Sequence, residues 1–307
     1  MKKVISLDEN FSTTRLLTKE IPNSICQSEE KIFNQKRSDS GLFLPVNEGR
    51  NREGGLRTQG YFKNSYDAKP LVTVITVVFN GEAHLEETIQ SVIEQTYDNV
   101  EYLVIDGGST DGTLDIIQKY ADKIDYWVSE RDSGIYDAMN KGASLARGDY
   151  VAYLNADDWY ETSALEDVVK AILDAKKVDF LYGDVGLVKD GIQIKTFYPN
   201  IKKFTMKMPF GHPSLFLNRE ILQKLKFSDE YPVIADYDLI IKLIKNKHTS
   251  TYVHKKLTNF RLEGVSSTSS LKQEHYRLYK HHFGSFHALV YFIWQSIKDA
   301  IKPMVNR

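Results

Sequence analysis

The chain has 307 residues, 42% of them apolar, enough to fill a substantial core, and its 40 basic and 41 acidic residues leave no net charge that would draw it to nucleic acid. A single cysteine, Cys26, excludes an internal disulfide and a cysteine-built metal centre, which favours the cytosolic side of a membrane. The opening MKKVISLDENFS lacks the apolar core of a secretion signal, and no run reaches the ~20 apolar residues of a spanning helix, so an integral membrane protein is not expected.

Residues 1–69 are rich in Ser, Asn, Glu, Lys and Gly without a sustained period, and they read as a polar extension, partly disordered. PLVTVITVVF, residues 70–79, is a β-branched run with the length of a buried parallel strand, ending at Asn80-Gly81. EAHLEETIQSVIEQTY puts Leu85, Ile89, Val92 and Ile93 on one helical face, and VEYLVI, residues 100–105, supplies the next strand. The alternation continues with a helix over Leu114 and Ile117, a strand at DYWVS, a helix over 135–146 and a strand at 150–155. Such a pattern implies a mostly parallel sheet flanked by helices.

After a helix near 163–175 the texture becomes α+β. FLYGDVGLV and IQIKTFY flank the hairpin signal Lys189-Asp190-Gly191, and GHPSLFLN and a helix over DYDLIIKLIKN follow. A strand pair near 251–261 precedes helical sequence from 269 to the end. The aromatic and aliphatic ALVYFIW, residues 288–294, followed by lysines, fits either a helix lying at a bilayer surface or one packed on the domain.

Three strands end in polar signals at what should be one edge of the sheet: Asn80-Gly81, Asp106-Gly107 and Asn155-Ala156-Asp157-Asp158. Ligands of open α/β sheets bind beyond that edge, so Asp106 in LVIDGGSTDGT can face a ligand or merely organise a turn. The adjacent Asp157 and Asp158 repel unless a cation or donor compensates, and Mg²⁺ or Mn²⁺ completed by phosphate oxygens would do so. A solvated turn before a helix is the plainer alternative. GGSTDG lacks the G-x-G-x-x-G spacing, which argues against a dinucleotide oxidoreductase.

TVITVVFNGEAHLEETIQSVIEQTYDNVEYLVIDGGSTDGT and SERDSGIYDAMNKGASLARGDYVAYLNADDWY resemble a bacterial family-two glycosyltransferase over residues 70–160, and GHPSLFLNRE with VIADYDLIIKL extends the resemblance to about 245. The resemblance implies a GT-A fold with a Rossmann-like sheet, a nucleotide-diphosphate sugar donor, a divalent metal and inversion at the anomeric carbon. With the polar extension at 1–69 and the helical sequence at the end, the expected division is 1–69, a GT-A domain at 70–265 (nucleotide-sugar half 70–160, acceptor half 161–265) and C-terminal helices at 266–307.

Carried over by residue, the resemblance puts Asn80 and Gly81 beside the base, gives Asp106 the first acidic position of an Asp-Asp-x-Ser motif, and assigns ribose contact to Asp157 and metal ligation to Asp158. Gly107 departs from the motif, which leaves the donor base open, and Asn155 holds the first position of the longer acidic motif. Asp132, Ser133, Gly134, Asn140 and Lys141 match a donor-proximal segment; Lys141 can equally neutralise phosphate or lie on a solvated helix face. Asp236 matches the acceptor-activating base, with a helix N-cap as the competing role, and His212 is an acceptor-side candidate or a structural histidine.

The implied function is hexose or N-acetylhexosamine transfer to a saccharide or lipid-linked acceptor in bacterial surface-polysaccharide assembly. The expected place is the cytoplasm, with possible peripheral contact at the inner membrane and no nucleic-acid partner. A non-catalytic sugar-nucleotide or polysaccharide-binding module on the same fold is the alternative.

Overall fold

The computed structural model describes residues 3–5, 17–19, 41–45, 47–175, 177–262 and 270–293. Its centre is a mixed sheet in which β5 (Val72–Val78), β6 (Val100–Asp106), β7 (Tyr126–Glu130) and β8 (Tyr150–Tyr153) are mutually parallel in the order β7-β6-β5-β8. Helices α1 (Leu85–Ile93), α2 (Thr113–Lys119) and α3 (Ile135–Leu145) make the crossovers. Every residue of β5, β6 and β7 is buried, as the unbroken β-branched and aromatic runs require of strands covered on both faces.

Alternation along the strands feeds two cores. Val72, Val74, Tyr102 and Val104 meet α1, α2 and α4 (Ala164–Asp174), whereas Ile75, Val77, Leu103 and Ile105 meet α3. Each fully buried aliphatic side chain contributes about 1.5–3 kcal/mol, so burial on both faces is a large stabilising contribution to this part of the sheet.

Beyond β8 the sheet continues through β12 (Phe216–Asn218), β10 (Phe180–Lys189) and β13 (Ser250–Arg261) to β9 (Trp159–Tyr160). The hairpin of β10 with β11 (Ile192–Phe197) forms as expected, with Asp190 and Gly191 at φ 50° and 75°, the left-handed pair that a two-residue turn needs. The strand pair anticipated near 251–261 is instead one strand of 12 residues, β13. Its middle, His254-Lys255-Lys256, has no turn residue, and the pairing with β10 absorbs the irregularity as register shifts at Gly183, Asp184 and Val185. Helix α5 (Arg219–Leu225), helix α6 (Ala235–Lys245) and helix α7 (Ser270–Phe283) complete the second half.

The sheet also starts earlier than the expected boundary at residue 70. Strand β3 (Arg50–Gly54) adds antiparallel to β7, and the following chain is fastened by two buried ion pairs: Arg57 to Glu101 and Lys63 to Asp125, each at 2.6 Å. An extension reading therefore fails for residues 50–69. Short strands β1 (Lys3–Ile5) and β2 (Leu17–Lys19) form a separate sheet with β4 (Tyr61–Phe62), and the rest of 1–40 lies outside the described residues.

Residues 285–293 are helical and two-faced. Ala288 is buried and Tyr291 stacks on Tyr279 of α7 at 4.1 Å, while Phe286, Leu289, Val290, Phe292 and Ile293 are exposed. Helical sequence expected over 294–307 lies outside the described residues. Among the described residues no helix is long and apolar enough to cross a membrane.

Candidate active site

Because β5 to β8 are parallel, their carboxyl ends bring the loops after Val78, Asp106, Glu130 and Tyr153 to one edge. The first two loops are locked together. Asn80 adopts φ 51°, a left-handed conformation that asparagine tolerates. Its N–H donates to Ser109 Oγ (2.7 Å), and its Oδ1 accepts from Thr110 N (2.9 Å). Gly81 N donates to Thr113 Oγ1 (2.9 Å), and Glu82 Oε2 accepts from Gly112 N (2.6 Å).

Asp106 is the residue whose placement differs most from the ligand-facing expectation. Its side chain is fully buried and accepts from the Ser109 hydroxyl, from Ser129 Oγ (2.6 Å), and from the backbone N–H of Gly108 (3.2 Å) and Ser109 (3.1 Å). A carboxylate with that many internal donors organises the loop and has little left for a nucleotide. Ser129, which completes its shell, carried no sequence signal because a serine at a strand end is ordinary.

Asn140 is likewise committed elsewhere: Nδ2 donates to Phe227 O (2.9 Å) and Oδ1 accepts from Phe227 N (3.0 Å), so the amide clamps α3 to the segment before α6 instead of reaching a donor. Lys141 is neither free nor on a solvated face. It pairs with Glu130 Oε1 (3.1 Å) and Asp137 Oδ2 (3.5 Å), and Glu130 also binds Arg50. Asp132 remains open, with Oδ1 accepting from Gly134 N (2.9 Å). Phe79, missed from sequence as one more apolar strand residue, is 66% exposed at this edge.

The acidic pair after β8 is unequal. Asp157 is partly buried, whereas Asp158 has no exposed surface. Asp158 Oδ1 accepts from Arg261 N (3.1 Å), and its Oδ2 has no hydrogen-bond partner among the described residues. Burial, then the charge of Asp157, pushes the Asp158 carboxyl well above its usual range, and burial raises Asp157 as well. Arg261, at the end of β13, braces the loop by donating from Nε to Asp157 O (3.2 Å) and from Nη2 to Glu87 (2.7 Å).

An orphaned carboxylate oxygen in an undercompensated acidic pair is the donor set a hard divalent cation fits. No group of three or more potential ligands occurs among the described residues, so such an ion would need oxygens from a diphosphate to complete its shell.

Asp236 lies in the first turn of α6, but the N-cap is Ile234 and no side chain caps the helix, so the N-cap role is not the one it fills. The Tyr136 hydroxyl of α3 lies 3.0 Å from Asp236 Oδ1 and 2.8 Å from Val233 O. His212 sits near enough for the Asp236 charge to act on it, yet burial prevails and lowers the imidazole pKa. The ring is therefore neutral at pH 7, stacked on Tyr153 at 5.8 Å, with Nε2 lacking a partner among the described residues. Asp238 is different: it binds His282 Nε2 (2.6 Å) and Lys242 (2.6 Å), tying α6 to α7.

A family model described as glycosyl transferase family 2 matches residues 73–226, half of the chain. A PGL/p-HBAD biosynthesis glycosyltransferase of Mycobacterium bovis (strain BCG / Pasteur 1173P2) is 30% identical over 213 residues, covering 67% of this chain and 83% of that protein. A putative teichuronic acid biosynthesis glycosyltransferase, TuaG of Bacillus subtilis (strain 168), is 29% identical over 214 residues, covering 66% and 83%. Among solved structures, S. aureus TarS 1-349 in complex with UDP-GlcNAc is similar with TM-score 0.56 and 18% identity, over 68% of this chain and 65% of that one, a likeness of fold.

Proposed function

Since the chain belongs to glycosyl transferase family 2, we propose that it is an inverting enzyme that moves a hexose or N-acetylhexosamine from a nucleoside-diphosphate sugar to a saccharide or lipid-linked acceptor. The observation that carries the proposal is the undercompensated pair Asp157–Asp158, with one buried oxygen unpartnered, at the sheet edge where the loops after β5 and β6 are cross-braced. Asp158 would hold Mg²⁺ or Mn²⁺, which would supply neutralisation of the departing diphosphate, and Asp157 beside it would contact the donor's ribose.

Asp236 takes the proton from the acceptor hydroxyl as that oxygen attacks the anomeric carbon, and the Tyr136 hydroxyl fixes one oxygen of its carboxylate. Neutral His212 lies on the same side, buried, with Nε2 unpartnered among the described residues. The cross-braced loops hold the nucleotide's place without reorganising, which lowers the entropic cost of aligning the donor.

Relatives named for teichuronic acid and PGL/p-HBAD biosynthesis support a role in bacterial surface-glycan assembly; the proposed place of this work is the cytoplasmic face of the membrane. The apolar outer face of residues 285–293 supports peripheral contact there. The test is transfer assayed with a panel of nucleoside-diphosphate sugars with and without Mn²⁺. Metal-dependent nucleotide release that rises with an added acceptor is expected; no turnover of any donor would reject the reading.

A further inference from the structure

The amino edge of the sheet, opposite the acidic pair, carries a polar cavity of its own. Arg147 comes just before β8 and Arg219 just after β12, and Asn218 of β12 pairs with Tyr150 at the start of β8. Strand pairing therefore brings the two arginines together at one end of β8, while Asp157 and Asp158 follow its other end. Both line an open cavity of about 490 Å³ with Ser144 of α3, Gln223 of α5 and Leu42, and no carboxylate among the described residues lines it.

Both guanidinium groups are half-buried and are fixed by contacts that leave N–H donors over. Arg147 lies over the Phe62 ring at 5.3 Å, a contact that uses its flat face and none of its donors. Arg219 donates from Nε to Gly148 O (3.0 Å), and neither of its Nη groups has an acceptor among the described residues. The neighbouring carboxylates are committed elsewhere: Glu101 to Arg57 (2.6 Å), and Asp149 to the Ser65 hydroxyl and to Leu71 N (3.2 Å). The carbonyls at the end of α3, which would oppose an anion, are also taken, Leu145 O by Arg57 (3.0 Å) and Ala143 O by Gln223 (3.2 Å). Two like charges in one cavity repel unless an anion compensates them.

We propose that Arg147 and Arg219 form a binding site for a phosphate group, separate from the catalytic edge. Guanidinium forks match phosphate oxygens in both geometry and charge, and two forks already held in place lose little freedom on binding. The cavity is larger than a phosphate alone, so it admits the first part of whatever carries that group. A soluble phosphate ester and a lipid headgroup present the same chemistry here, and they are separable by experiment.

The experiment titrates inorganic phosphate into the full chain in EDTA, against chloride at equal ionic strength, and reads melting temperature and calorimetric affinity. EDTA keeps metal-dependent binding at the carboxyl edge out of the signal. Phosphate is expected to raise the melting temperature, as a ligand of the folded state does. Arg147→Gln and Arg219→Gln should each weaken phosphate about tenfold or more, the scale of a hydrogen bond between charged groups. Arg147→Lys and Arg219→Lys keep the charge but lose the fork, and should fall between. The phosphate-free melting temperature is the folding control, and position 147 keeps its backbone bond to Glu101 (2.8 Å) in every variant. Co-sedimentation with phosphatidylcholine vesicles containing phosphatidic acid tells the sources apart. Vesicle binding that falls in both glutamine variants, and by more than in Lys224→Gln, an exposed lysine outside the cavity, assigns a lipid headgroup. Unchanged vesicle binding beside weakened phosphate binding assigns a soluble phosphate ester. No stabilisation by phosphate over chloride, or phosphate affinity equal to the parent's in both glutamine variants, overturns the proposal.

Discussion

Asp158 is held where burial and the adjacent Asp157 both penalise its charge, so its folded pKa stands above the unfolded value near 3.9. For a carboxyl raised in this way, the stabilising contribution is complete below the unfolded pKa and is lost as pH rises through the folded one. The metal-free chain should therefore lose stability with rising pH over that window, and Mn²⁺ with a nucleoside diphosphate should restore it at neutral pH. Asp158→Asn keeps an oxygen for Arg261 N and removes the penalised charge. Its expected signature is a higher melting temperature in EDTA at pH 7 and no further rise on adding metal and nucleotide. A lower metal-free melting temperature would mean that the ionised carboxylate is already well compensated. Asp236→Asn tests the other end of the site. Since Ile234 holds the N-cap, no cap is lost, and the expected result is an unchanged melting temperature and donor affinity with turnover lowered by ~10²-fold or more. Normal turnover in this variant would move the base to another group. Neither residue's setting was legible from sequence: an aspartate opening an amphipathic run looks like a cap, and only packing shows which carboxylates have spent their acceptors, as Asp106 has on Ser109 and Ser129.

At the level of elements, the strands that bury both faces announce themselves, because β5, β6 and β7 must be apolar throughout to lie between two helical layers. Edge strands carry no such obligation. β3 reads Arg-Asn-Arg-Glu-Gly, a sequence with every mark of a loop, and it is a strand because β7 offers an unpaired backbone edge. The segment is then fixed by charges that look like solvated ones until partners are seen: Arg57 reaches Glu101, Leu42 O and Leu145 O, while Lys63 reaches Asp125 and the Val100 carbonyl. Deleting residues 1–69 would leave Glu101 and Asp125 buried without their cations. Breaking one such pair costs about 3–5 kcal/mol. Truncation at residue 70 is expected to give insoluble or unfolded protein, and Arg57→Ala alone should lower the urea midpoint sharply. A soluble chain starting at residue 70 with a native melting temperature would show that the two pairs add nothing.

Across the whole molecule, α3 serves both halves of the chain: Tyr136 reaches Asp236 and Asn140 clamps Phe227. The first and second halves of the sheet domain are thereby joined through side chains whose partners lie about a hundred positions away, a distance over which no periodicity speaks. The C-terminal helix poses the remaining choice between a packed element and a surface anchor, and its geometry answers with one face for each. Ala288 and Tyr291 face α7, so removing residues 285–307 would unpack Tyr279 and confuse anchoring with stability. Substitution on the outer face separates the two. Phe286, Leu289 and Ile293 are 75%, 52% and 50% exposed, and they follow the three-to-four spacing of one helical stripe. Changing all three to serine removes apolar surface without opening the core, so the melting temperature should hold. If the stripe enters the headgroup region of a bilayer, co-sedimentation with vesicles containing anionic lipid should fall several-fold, because binding scales with the apolar area inserted. Vesicle binding equal to that of the parent, with the fold intact, would show that this stripe is not what meets the membrane.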